Sequence, residues 1–289
     1  MKERGFVMAD RKKGLDVEHC EAVLKALAKF HGLSLGMKAL EPEKFFGEVA
    51  NAVTECLFEP ENEEWYHDYY TSATRNAVSF VRECLIAPEE REKYVGRFEN
   101  FVDSSFFRRM VDLVKPKEPV AVLCHGDCWT NNILFKYSPS GDISYLCFLD
   151  FQLVRYGSPA LDIVNFLYCC TSRKLRSLHM DHLIELYSEH LKKTLSRLGC
   201  SDDLFDEDLT FMPSLCYRMK EEIRKYGKFG LGLAIDMIPI STCDSDQAPD
   251  LYVTVQEEQK EGSENPVGNE MCKRRMTDLV QELVDNGEL

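Results

Sequence analysis

VAVLCHGDCWTNNILFKYSPSGDISYLCFLDFQLVRYGSPALDIVNFL, residues 120–167, is the stretch from which the rest of the chain can be read. Its first apolar run, Val120 to Cys124, reads as a buried strand that delivers His125-Gly126-Asp127 onto a loop. Asn132, five residues after Asp127, opens a second apolar run, Ile133 to Phe135. A turn of Ser138, Pro139, Ser140, Gly141 and Asp142 reverses the chain, because these residue types favour turns. The third run, Tyr145 to Leu149, ends on Asp150-Phe151. The layout is loop, hairpin, loop, with two carboxylates and one amide at strand ends.

That spacing suits phosphoryl transfer, which needs an acceptor-only side chain to orient the attacking hydroxyl and oxygen ligands for Mg²⁺ on the phosphates. In H-x-D-x-x-x-x-N, Asp127 is the candidate base and Asn132 a neutral oxygen ligand. Asp150, opening the D-F pair beyond the hairpin, is the candidate anionic metal ligand. A hairpin ladder brings Asn132 and Asp150 together at paired strand ends. Taken alone, H-G-D would mark ordinary loop residues; three elements in order, with a further carboxylate at Asp162, favour a site. Pro159 stands where a helix N1 proline belongs, so the Ala160–Cys170 helix carries Asp162 in its first turn. There a carboxylate fits a buttress better than a catalyst. Arg155 has two possible partners, the phosphates or Asp162, and the sequence does not rank them.

The segments HGDCWTNNILF, FLDFQ and YGSPALDIVNFL resemble the aminoglycoside-phosphotransferase and choline-kinase superfamily. Within it they are most similar to the ecdysteroid-kinase-like, or CHK kinase-like, group. GFVMADRKKGLD at residues 5–16, LAKFHGLSLGMK at 27–38, RMKEEIRKYGKFGL at 218–231 and the closing helix support the narrower assignment. The resemblance implies a mostly helical α+β fold: a protein-kinase-like C-terminal lobe with a small hairpin sheet at the catalytic loop, over residues 1–289 as a single domain. It further implies that Asp127 is the catalytic base, that Asn132 and Asp150 hold Mg²⁺, and that His125 and Asp162 support the loop structurally. ATP would be the donor and a small hydroxyl compound, steroid-like by resemblance, the acceptor. Such kinases carry a glycine-rich loop and an ATP-contacting lysine on an N-terminal lobe. No G-x-G-x-x-G or strand-borne lysine precedes Asp127, so the N-terminal lobe is read as missing and its ATP-contacting residues are unassigned. Residues 1–16 are read as the end of the inter-lobe linker. Either a truncated gene product or a lobe without its partner accounts for this.

Composition bounds the alternatives. With 289 residues, 44% hydrophobic and 29% charged, the chain has the makings of a soluble domain with a sizeable core. A formal charge of −14 argues against nucleic acid or an anionic membrane as partner. The twelve cysteines form no CxxC pair, so zinc is disfavoured and reduced, buried thiols in the cytoplasm are expected. The longest apolar helix candidate, Phe229 to Ile240, contains Asp236 and is too short to span a bilayer.

Along the chain, a short strand is expected at Phe6–Met8. Asp16 is the candidate N-cap of a helix to about Met37, with Cys20, Val23, Leu24, Leu27 and His31 on one face; His31 there reads as a hydrogen-bonded core residue. Further helices are expected at Glu41–Leu57, Asn62–Leu85, Tyr94–Leu113, Asp181–Leu198, Leu204–Tyr226 and Arg274–Val284. The aromatic run Trp65, Tyr66, Tyr69, Tyr70 and Phe80 reads as core, with walling of a flat acceptor as the rival reading. Polar, acidic residues 241–270 read as a mobile loop. Gln152 replaces the glycine of D-F-G, and Asp150 to Pro159 is too short for an activation loop. Both point to a small-molecule kinase. The opposing reading is a catalytically silent lobe acting as a binding or regulatory fragment; a metal-dependent hydrolase using His125 and Asp127 would want more histidines than the sequence offers.

Overall fold

Helix α1 (Val17–Leu40) is the first long element, and Asp16 caps it by accepting the His19 amide at 3.0 Å. The computed structural model describes residues 4–200, 214–244 and 268–289. The helix runs three residues past Met37 and buries Cys20, Val23, Leu24, Leu27, His31 and Leu35. It packs along α6 (Arg173–Arg197), while α5 (Ala160–Cys170) packs along α7 (Leu215–Thr242). The closing helix α8 (Glu270–Asp285) lies on α7 and on α2 (Glu63–Cys84). The architecture is mostly helical with two small antiparallel sheets.

Those sheets hold the hairpin. β3 (Ile133–Tyr137) pairs with β4 (Ile143–Phe148), with Ile133 opposite Phe148, and β1 (Phe6–Met8) adds a third strand on the far side of β3. One face of β3, carrying Ile133 and Phe135, is sealed from solvent, whereas Tyr145 on β4 is exposed, as expected of a sheet covered on one side. A separate ribbon pairs β2 (Val122–Cys124) with β5 (Arg155–Gly157), placing Cys124 opposite Arg155.

Several expected boundaries move. Instead of one helix over Glu41–Leu57, residues 42–52 form a short α turn, a π-helical turn and a 3₁₀ turn in succession, and the chain is extended at Val53. The Glu55 carboxylate then accepts the Leu57 and Phe58 amides at 3.0 Å each, a local turn that competes with helix. The Tyr94–Leu113 helix is broken between α3 (Gly96–Phe101) and α4 (Phe106–Val114), where Asp103 accepts the Ser105 amide at 2.7 Å. Residues 201–213 lie outside the described residues, and α7 continues through the Phe229–Ile240 stretch without a break. Its glycines serve close packing: a Cβ at Gly230 would fall 2.6 Å from the Tyr168 ring. Ser241 and Thr242 belong to α7 and Glu270 opens α8, so the ends of the 241–270 stretch are helical rather than loop, and residues 245–267 lie outside the described residues.

Of the aromatic run, Tyr70 is core, buried against Phe58, Phe106 and Phe107, while Tyr66, Tyr69 and Phe80 are half-buried against it and Trp65 stays exposed. All twelve cysteines are free thiols, seven of them buried. Among the described residues, no helix is long and apolar enough to cross a membrane.

Two carboxyls sit in surroundings that favour the neutral acid. Burial pushes Asp236 up to about 7, against the opposing hydrogen bond from the Tyr69 hydroxyl at 2.9 Å. Glu288 is likewise pushed to about 7 by burial, with Tyr168 and Asn286 as its donors. A carboxyl whose folded pKa is raised binds a proton more tightly folded than unfolded, so its contribution falls as pH rises from about 4 through 7. Asp236→Asn removes one such group. Urea denaturation at pH 5 and pH 8 should show the variant gaining stability relative to the parent chain at the higher pH.

Candidate active site

The loop after β2 turns sharply at Gly126, with φ +86°. A Cβ there would lie 1.7 Å from the Leu153 carbonyl oxygen, so only glycine lets this loop and the segment after Asp150 come together. His125 ties the two further: its Nδ1 accepts the Asp127 amide at 3.2 Å and its Nε2 donates to the Leu149 carbonyl at 2.9 Å. Its ring lies 4.5 Å from that of Phe151.

Asp162, in the first turn of α5, holds the loop from below. One carboxylate oxygen accepts the His125 amide at 2.6 Å and the other accepts the Gly126 amide at 2.9 Å. His31 Nε2, from α1, donates to the same group at 3.0 Å, and the Tyr187 hydroxyl of α6 lies 2.8 Å from His31 Nδ1. Burial alone would raise Asp162, but the hydrogen bonds from His31 and from the Gly126 amide more than offset it and hold the carboxyl below its usual range.

Asp127 and Asn132 meet directly. The single 3₁₀ turn Thr130–Asn132 brings the amide back, so that Asn132 Nδ2 donates to Asp127 Oδ2 at 2.7 Å and to the Asp127 carbonyl at 3.0 Å. Across the hairpin, the Leu149 amide donates to the Asn132 carbonyl at 2.8 Å. Asp150 follows, solvent-exposed, with φ +60°, a left-handed conformation that aspartate tolerates better than most side chains. Burial pushes the half-buried Asp127 up; the Asn132 hydrogen bond and His125 oppose this, the Asp150 charge adds to it, and Arg155 pulls it down.

The donors fit a hard cation. With Nδ2 engaged by Asp127, Asn132 has Oδ1 to offer, and among the described residues the Asp150 carboxylate has a single hydrogen bond, a 3.4 Å contact from the Gln152 amide. An all-oxygen set of one amide and one carboxylate is what Mg²⁺ takes when phosphates and water complete its shell. A second cluster, His31, Cys124 and Asp162, has its potential ligand atoms within 4.8 Å of one another. It does not suit a metal: Asp162 is spent on two amides and His31, and burial pushes the Cys124 thiol up so that it keeps its proton.

Thus Asp127, Asn132, Asp150, His125 and Asp162, chosen from spacing, lie in one connected region. His31 is the hydrogen-bonded core residue expected, yet its partner is Asp162, which spacing did not disclose. Tyr187 gave no signal at all. Arg155 does not pair with Asp162; it is buried against Glu55, with Nε 2.9 Å from Oε2.

A sequence model of the ecdysteroid kinase-like family matches residues 1–200. That span includes every residue of the site, while the similar segment at 218–231 lies beyond it. No curated protein matches the chain.

Asp162→Asn replaces one acceptor oxygen with an amide that faces a backbone N–H. Leaving one buried donor unpaired should lower global stability by about 2–4 kcal/mol, read as a lower denaturation midpoint at pH 7.

Proposed function

This chain belongs to the ecdysteroid kinase-like family, and on that footing we propose that it transfers the terminal phosphoryl group of ATP to a hydroxyl of a small organic molecule. The observation that carries the reading is the contact between Asn132 Nδ2 and Asp127 Oδ2, with Asp150 beyond the Leu149–Asn132 bond. Base and metal-ligand candidates sit side by side, as phosphoryl transfer requires.

Asn132 and Asp150 would hold Mg²⁺, which when bound neutralises charge on the phosphates. Asn132 fixes one oxygen of Asp127 and leaves the other to receive the acceptor's hydroxyl proton. The buried loop under it, pinned to Asp162, holds that oxygen still, and positioning of this kind supplies most of the catalysis in phosphoryl transfer. Neighbouring Cys128 is no rival nucleophile, because burial pushes its thiol up and keeps it protonated. The hydroxyl acceptor is read as a steroid-like alcohol on family resemblance alone, with cholines and aminoglycosides as the comparison set.

Mg-ATP consumption by the purified protein against a panel of sterols, cholines and aminoglycosides tests this. Asp127→Asn should lower turnover by roughly 10²–10⁴-fold, the usual worth of a positioned acid or base. Undiminished turnover in that variant would remove Asp127 from the mechanism.

A further inference from the structure

Arg155 is among the largest fully buried side chains of the described residues, and the mechanism above does not use it. It opens β5 directly opposite Cys124, the last residue of β2 before the His125–Gly126–Asp127 loop. Its guanidinium packs against two rings that meet edge-on 6.0 Å apart, 5.3 Å from the centroid of Phe229 and 5.8 Å from that of Phe58. Glu55 meets it edge on, with Nη2 donating to Oε1 at 3.3 Å and Nε 2.9 Å from Oε2. Nε, Nη1 and Glu55 Oε2 are buried without a hydrogen-bond partner among the described residues, so Nη2–Oε1 is the pair's one hydrogen bond there and the rest is charge attraction.

Such a seat is costly. A buried ion pair with several N–H and oxygen atoms left without a hydrogen bond is retained against a desolvation penalty, and apolar residues of similar size would pack beside the two rings more cheaply. What the ion pair adds is location. Glu55 belongs to an extended segment fixed on itself by the Leu57 and Phe58 amides, and neighbouring Cys56 reaches the Gln152 carbonyl at 3.7 Å. The pair therefore anchors the downstream end of the Asp150 loop, whose upstream end is held by β4 and the His125 bond to Leu149. Leu153, inside that loop, is the residue pressed against Gly126.

We propose that Arg155, gripped by Glu55, is a positioning residue that sets the separation between the Asp127 loop and the Asp150 loop. The inference rests on the phosphotransferase reading for its consequence in catalysis, and on the contacts alone for its consequence in structure. Lysine would keep the charge but lose the planar guanidinium's reach to Glu55 and its contact with the Phe229 and Phe58 rings, so Arg155→Lys should restore the site only in part.

Hydrogen exchange and kinetics on Glu55→Gln, Arg155→Met and Arg155→Lys decide it, Glu55→Gln being the mildest should the methionine variant not fold. Exchange in residues 126–129 and 151–154 should quicken by about tenfold or more in Glu55→Gln, with α6 and α7 unchanged, since losing a buried ion-pair partner opens the structure locally. Turnover should fall with the acceptor KM nearly constant, and Arg155→Lys should lie between Arg155→Met and the parent chain. Unchanged exchange in both loops, or the same acceleration throughout the helices, would overturn the proposal. Absence of phosphoryl transfer in the parent chain would instead count against the functional reading, and the exchange pattern would still judge the positioning role.

Discussion

Two backbone N–H groups, those of His125 and Gly126, point at the oxygens of one buried carboxylate, Asp162. The rest of the site depends on that pair of bonds. Hydrogen bonds to an ionised acceptor are about twice as strong as neutral ones, and a carboxylate out of reach of water must be met by donors on every side. Here the donors come from the β2 loop and from α1, and Tyr187 of α6 sits behind His31. Three helices and a strand thus converge on one group, and the loop they fix is the one bearing Asp127. Stability and the placement of Asp127 are the same interaction seen from two sides.

The hairpin does the second half of the work. Its ladder is regular from Ile133 to Lys136, so Asn132 and Leu149 are held at a hydrogen-bonded step, and Asp150 emerges where the strand ends. A left-handed residue at that point turns the chain abruptly toward Gly126. The outcome is an acid, an amide and a second acid joined through short backbone connections, with oxygen donors suited to a hard cation. The ecdysteroid kinase-like match over residues 1–200 contains all of them.

Much of this was legible in the chain because its determinants are local. Five residues separate Asp127 from Asn132, and a hairpin separates Asn132 from Asp150, so periodicity and turn chemistry suffice. The same is true of the Asp16 cap, the Phe6–Met8 strand and the helix opening after Pro159. Where local chemistry competes, hydrophobic spacing misplaces the helix ends. Asp103 and Glu55 each bind nearby amides and break what hydrophobic spacing alone would continue as helix. Partnerships over long separations left no trace: His31 and Asp162 are 131 residues apart, Glu55 and Arg155 100. A histidine on an apolar helix face and an arginine beside a strand announce that partners exist, not which ones. Those identities are settled only by how α1, α5 and the segment near Glu55 pack.

The central claim is that Asn132 and Asp150 share one divalent cation beside Asp127. Crystals grown with ATP and Mn²⁺ in place of Mg²⁺, measured at the manganese absorption edge, test it most directly. An anomalous peak about 2.2 Å from both Asn132 Oδ1 and an Asp150 carboxylate oxygen, close to the octahedral distance expected for a small divalent ion, is the result this account predicts. Manganese bound elsewhere, with Asn132 and Asp150 both out of reach of it, would contradict it.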